Sequence, residues 1–376
     1  MKKLNNTHNF GIPINLLFYI AYFLIIASDI FDNISIFKNV LIIVDIVSVL
    51  LLSIVILVKR KIDIKMFVFL ILVFISAIIS DDRSLVKLPF LLMAFNGIEF
   101  NEFIKKDFIF RIILVCILFL FNGLGITDNG ILEIRNGFVR NSFGLGHPNS
   151  FAFYLTIISL DYYYIESKKN NPNILRPFLF SLLMIFFIFL FVGSRTNILI
   201  ISLFSILFLA RNKITLKSSS FFSYTFGICM ILSVILAYIY NPNTNVLSML
   251  DNILSRRLYL SNYFLNNYNI TLFGNKVITS KFYALDNAYI NLFIRYGIVL
   301  SFYLIIMFKN ASKSLIKNKE YVLVIVLAIF SIYGLSETPM YIPAKNPYIL
   351  LLSFSWISNR KNLFTRRSYS NEQENT

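Results

Sequence analysis

The residues best suited to chemistry fall in a few short strings. TDNGILEIRNGFVRNSFGLGHPNS holds Arg135, Arg140 and His147, GSRT holds Arg195, and LSRRLYL sets Arg256 beside Arg257. Further on, LDNAYINLFIRYG carries Asp286 and Arg295, and GLSETP carries Glu337. An arginine presents a planar, permanently charged fork that binds phosphate oxygens two at a time. A neutral histidine accepts a proton near pH 7, and a carboxylate is the next choice. Plainer roles compete at each string. Pro148 suits a first helical position, with Asn149 or Ser150 helping to cap it. Gly193 suits a helix C-cap, with Arg195 snorkelling to lipid head groups. Leu250, Ile253, Leu254, Leu258 and Leu265 recur near helical spacing, as in an amphipathic surface helix whose arginines touch lipid phosphates.

The elements that must position these strings are read from the rest of the chain. Of 376 residues, 57% are hydrophobic and only 14% charged, and mean hydropathy is +0.72, far more apolar than a soluble domain. The net charge of +16 comes from Lys and Arg scattered between apolar runs, not gathered on one face. That pattern argues against a nucleic-acid partner. Apolar runs predict an all-α bundle of twelve spans at about 12–28, 40–58, 66–80, 85–98, 109–126, 148–165, 177–193, 196–210, 221–240, 287–308, 321–335 and 347–358. The fourth span, with Lys87, Pro89 and Asn96, and the short twelfth are open between crossing, re-entrant and interfacial forms.

Basic residues alternate between loops, and cytoplasmic loops hold the excess. With both termini inside, every inner segment is basic, including Lys105, Lys106 and Arg111. The outer face then carries two long loops, about 127–147 and 241–286. A single transmembrane domain, 1–358, is followed by a polar cytoplasmic tail, 359–376. The first apolar run lacks a clear cleavage site and reads as an uncleaved span. Cys116 and Cys229, far apart in apolar runs, read as buried thiols. Asp45 and Asp161 fall within or near spans, where carboxylates are functional suspects.

FGLGHPN before a span, GSRT between two spans, ILSRRLYL followed by LFG, and DNAYINLFIRYG opening a late span together resemble the Wzy-type polymerases of O-antigen, capsular and exopolysaccharide repeat units, within the O-antigen ligase-like membrane family. The resemblance covers roughly residues 108–340. Some members carry R-x10-G in both large outer loops; Arg135 to Gly146 fits that spacing, and neither Arg256 nor Arg257 has the matching glycine. The resemblance implies a GT-C-like bundle in the bacterial plasma membrane. It implies transfer of a glycan from undecaprenyl pyrophosphate to a hydroxyl of another lipid-linked repeat unit, outside the cytoplasm. Arg135, Arg140, Arg195, Arg256, Arg257 and Asp286 would then bind pyrophosphate and glycan, with His147 as general base and Glu337 as the second choice. Partners would be the lipid-linked glycans, membrane lipids, and a flippase and chain-length regulator of the same pathway. No cofactor is expected. No metal is expected either: a D-x-D motif is absent, and Asp81 and Asp82 sit in a short turn. A ligase moving finished glycans would use nearly the same residues. A lipid-linked oligosaccharide flippase is the non-enzymatic rival, favoured by charges lining the spans.

Overall fold

The computed structural model describes residues 13–60, 63–127, 133–135, 137–211, 216–280 and 283–356. The side chains of residues 35, 133–135 and 216–218 lie outside this description, and so does the tail expected over 359–376. The chain is mostly helical. Its helices are α1 (Ile14–Phe31), α2 (Lys38–Lys59), α3 (Ile64–Ser80), α4 (Lys87–Ala94), α5 (Phe100–Gly123), α6 (Pro148–Ser167), α7 (Leu175–Phe187) and α8 (Arg195–Leu209). They continue with α9 (Leu216–Phe222), α10 (Thr225–Ile239), α11 (Asn245–Ile253), α12 (Arg257–Asn267), α13 (Ala288–Asn291), α14 (Gly297–Lys317) and α15 (Tyr321–Tyr333). Two strands, β1 (Glu133–Arg135) and β2 (Phe138–Arg140), pair antiparallel with Arg135 opposite Phe138. Nothing in the residue pattern of the first long loop signals this ribbon.

Among the described residues, four helical stretches are long and apolar enough to cross a bilayer: Ile14–Phe31, Lys38–Lys59, Leu175–Val192 and Ala288–Lys317. Five shorter apolar helices accompany them. The bundle exposes Ile43, Leu57, Ile78, Phe186, Phe189 and Ile231, an apolar exterior suited to lipid. The core is aromatic, built around Phe18, Phe95, Phe100, Phe103, Tyr164 and Tyr348.

The fourth and twelfth expected spans take unusual forms. The eight residues of α4 extend only about 12 Å at 1.5 Å per residue. Lys59 Nζ at the end of α2 donates to the carbonyls of Ala94 and Asn96 at 2.7 and 2.8 Å. At the other end Lys87 pairs with Asp45, in the first half of α2, at 2.5 Å. Above α4 a cavity of about 710 Å³ opens between α1, α2, residues 83–87 and residues 342–344. The last element, Pro347–Trp356, is a 3₁₀ helix, whose steeper rise carries ten residues about 20 Å.

Three expectations are corrected. Cys229 is buried, but Cys116 lies on the exposed side of α5. Arg111, counted with a basic inner loop, is wholly buried within α5 and paired with Asp107 at 2.7 Å. The single amphipathic helix of the second long loop is two helices, α11 and α12, because Ser255 and Arg256 adopt left-handed backbone conformations.

Candidate functional site

Arg140, Asn149, Arg257, Asp286 and Glu337, far apart in sequence, meet in one cluster. Asn149 stands on the first turn of α6, where Pro148 takes the first helical position. His147, and not Asn149 or Ser150, supplies the cap: its Nδ1 accepts the Asn149 backbone N–H at 3.1 Å. The Asn149 side chain is thereby left to face the cluster. Its Nδ2 donates to Glu337 Oε1 at 2.6 Å, and its Oδ1 accepts from Arg140 Nη2 at 2.7 Å.

Arg140 ends β2, and its Nε donates to the Val192 carbonyl at 3.1 Å. Val192 closes a π-helical turn, Ile188–Val192, that extends α7 and ends at Gly193 in left-handed conformation. A Cβ on Gly193 would lie 2.9 Å from the Phe138 ring and 3.3 Å from Arg140 Cγ. The glycine of GSRT is therefore where the ribbon closes on the bundle. In the same string Ser194 and Asn197 are buried; Asn197 Nδ2 donates to Ser194 Oγ at 2.8 Å and to the Asn149 carbonyl at 3.5 Å.

Arg257 is the first residue of α12. Asp251 on α11 accepts the backbone N–H groups of Leu258 and Tyr259 at 2.9 and 3.0 Å, so one carboxylate closes the turn and caps the helix. The buried Arg257 side chain donates through Nη2 to Glu337 Oε1, and its Nε lies 3.7 Å from Asp286 Oδ2. Asp286 is partly exposed, at 41% of its side chain. The chain on either side of it is tied down elsewhere: Lys276 pairs with Asp81 at 2.6 Å and Arg295 with Asp82. Asp81 thus anchors the second long loop and Asp82 the helical turn after it; Lys276 holds the Asp81 carboxyl below the ordinary range, and for Asp82 burial is outweighed by the Ser84 backbone N–H and by Arg295, which hold it low.

Burial pushes the Glu337 carboxyl up to about 7, against the opposing pull of Arg257, and Asp286 pushes it further in the same direction. Glu337 thus changes charge near neutrality in direct contact with Arg257 and, through Asn149, in line with Arg140. Because its Nδ1 accepts a hydrogen bond, a neutral His147 ring carries its proton on Nε2, the form that donates. Arg195, at the start of α8, and Arg256, beside the turn, are exposed and stand outside the cluster. The Arg135 side chain lies outside the described residues. Among the described residues no group of three or more His, Cys, Asp or Glu side chains is placed to hold a metal ion.

Sequence reasoning missed Asn149 and Asn197 as partners, treating the first only as a cap. Their signal was position: each follows a chemistry-bearing residue by two places, His147 and Arg195. No protein-family model, curated protein or solved structure matches the chain.

Proposed function

We propose that the chain is a membrane glycosyltransferase that joins lipid-pyrophosphate-linked oligosaccharide repeat units on the outer face of a bacterial plasma membrane, as the resemblance to Wzy-type polymerases implies. One observation carries this reading: the two long loops expected on one face are joined at a single buried carboxylate, Glu337, which Arg257 bonds directly and Arg140 reaches through the Asn149 side chain. In this reading the chain crosses twelve times with both termini inside, α4 and Pro347–Trp356 serving as its short fourth and twelfth crossings.

The donor pyrophosphate takes the Arg257 fork in place of Glu337, and Arg140 and the exposed Arg195 and Arg256 extend the cationic surface. Glu337, released from Arg257, accepts the proton of the acceptor hydroxyl as that oxygen bonds to the anomeric carbon. The bond from that carbon to the pyrophosphate oxygen breaks, and the electron pair leaves on the lipid pyrophosphate. Arginine forks stabilise that charge in a site drier than water. His147, first choice for the base from sequence, becomes a donor to a phosphate or sugar oxygen through its Nε2–H. The base passes to Glu337, the second choice, because its Oε atoms accept and its carboxyl sits near pH 7. Purified protein given only lipid-linked repeat units tests the function: a ladder of product lengths is expected, and its absence with Glu337 intact argues against polymerisation.

A second reading, a lipid-linked oligosaccharide transporter, is favoured by the buried charges of Asp107, Arg111 and Asp161 inside the helices. It calls for movement of the intact lipid between leaflets with no change in glycan length.

A further inference from the structure

A second polar cluster lies inside the bundle, on helices and away from Glu337. Along α6 and its C-cap, Tyr154, Asp161 and Lys168 recur every seven residues, which places them on one stripe. At one end the Tyr154 hydroxyl donates to Asp29 at 2.6 Å, and Asp29 lines the 710 Å³ cavity. At the other, Lys168 pairs with Glu320 at 2.6 Å. Between them stand three wholly buried ionisable side chains: Asp107 and Arg111 on α5, and Asp161 on α6.

Each Asp107 oxygen already accepts one hydrogen bond and has a lone pair to spare. Its Oδ2 accepts from Arg111 Nε at 2.7 Å and its Oδ1 from the Tyr22 hydroxyl at 2.7 Å. Asp161 faces Asp107 and Arg111 from α5 and Tyr348 from the last 3₁₀ helix, yet neither of its oxygens has a hydrogen-bond partner. Arg111 Nη1 and the Tyr348 hydroxyl are likewise unpartnered. Two carboxylates share one guanidinium, so the buried set is one positive charge short, and interiors do not hold an uncompensated charge. A metal cation would sit beside the guanidinium, charge against like charge, with few oxygens to surround it. A proton needs no extra room, and a protonated Asp161 has Asp107 and Tyr348 oxygens to donate to.

We propose that Asp161 is a proton-binding site, one proton completing the charge of the Asp107–Arg111–Asp161 set on the polar stripe that leads to the cavity lined by Asp29. The proposal is independent of glycosyl transfer and needs no donor or acceptor substrate for its test. Infrared spectra of the full-length protein in lipid discs, in sodium-free buffer at neutral pH, are compared between wild type and Asp161→Asn. A protonated-carboxyl carbonyl band lost in Asp161→Asn is expected, with a melting temperature within about 3 °C of wild type, since the amide replaces a group that was already neutral. Should Asp161→Asn not fold, Asp107→Asn answers the same question: Arg111 then draws the negative charge onto Asp161, and the band is lost. Glu337 contributes a carboxyl band of its own near neutrality, so the difference spectra decide: no carboxyl band lost from wild type in either variant overturns the proposal. So does stabilisation of wild type but not of Asp161→Asn by added sodium, which would make the bound charge a metal cation.

Discussion

Glu337 is a carboxylate whose surroundings have opposite effects on it: burial and Asp286 favour the acid, Arg257 and Asn149 the anion. Transfer that needs the anion should rise with pH through an inflection near 7, and Arg257→Ala should move that inflection upward, because the cation that favours the anion is gone. A pH profile of kcat/KM, which reports the free enzyme in which Arg257 still holds Glu337, checks both, and an upward move of the inflection in Arg257→Ala is the discriminating result. Glu337→Gln should lower turnover on the order of 10²-fold or more while donor binding survives. Arg257→Lys keeps the charge and loses the fork, and should cost on the order of tenfold or more, about 1.4 kcal/mol. Wild-type rates in both variants would leave the cluster a structural latch. Stability should follow the same group with the opposite slope. Folding raises the Glu337 value, so its contribution is full below the ordinary carboxylate range and lost as pH rises through about 7. The sequence showed which residue types were available, Arg257, Glu337 and His147 among them. It did not show which nitrogen of His147 would be occupied, because that depends on a cap one residue before Pro148.

At the scale of elements, the cluster depends on where helices stop. A continuous surface helix through residues 245–267 would carry Arg257 on whichever face the apolar stripe dictates. The left-handed pair at Ser255 and Arg256 instead restarts the helix at Arg257, with Asp251 capping it. Asp251→Ala should cost about 1 kcal/mol of stability and lower transfer as well, since Arg257 loses its placement; thermal unfolding and activity measured together check this. Gly274, in the LFG string, has left-handed backbone, and a Cβ there would meet the Arg295 carbonyl oxygen at 2.0 Å. Gly274→Ala should therefore destabilise the protein by about 3 kcal/mol or more, read as a lowered melting temperature. Helical runs were legible from hydropathy because an apolar medium forces backbone bonding within each segment. The breaks were not, since a π-helical turn at 188–192 and a left-handed turn at 255–256 arise from tertiary contacts that hydropathy does not register.

Over the whole molecule, the expected alternation of basic loops and the meeting of Arg140, Arg257 and Glu337 make the same demand: both long loops must face one side. Single cysteines replacing Arg195 and Asp286, in a background lacking Cys116 and Cys229, should react with an impermeant thiol reagent in intact cells. Cysteines at Lys169 and Lys317 should react only after permeabilisation. The fold class was readable from composition, and the apolar exterior agrees with it; the forms of α4 and of Pro347–Trp356 were not, because both are packed inside the bundle where length no longer measures a crossing. The most direct measurement is the reaction itself, with purified wild-type protein and Glu337→Gln given undecaprenyl-pyrophosphate-linked repeat units as both donor and acceptor. A ladder of glycan lengths from wild type, released undecaprenyl pyrophosphate in step with it, and neither from Glu337→Gln is the expected result. Unextended glycans with wild-type protein, or equal ladders from both proteins, would contradict the assignment of glycosyl transfer to this cluster.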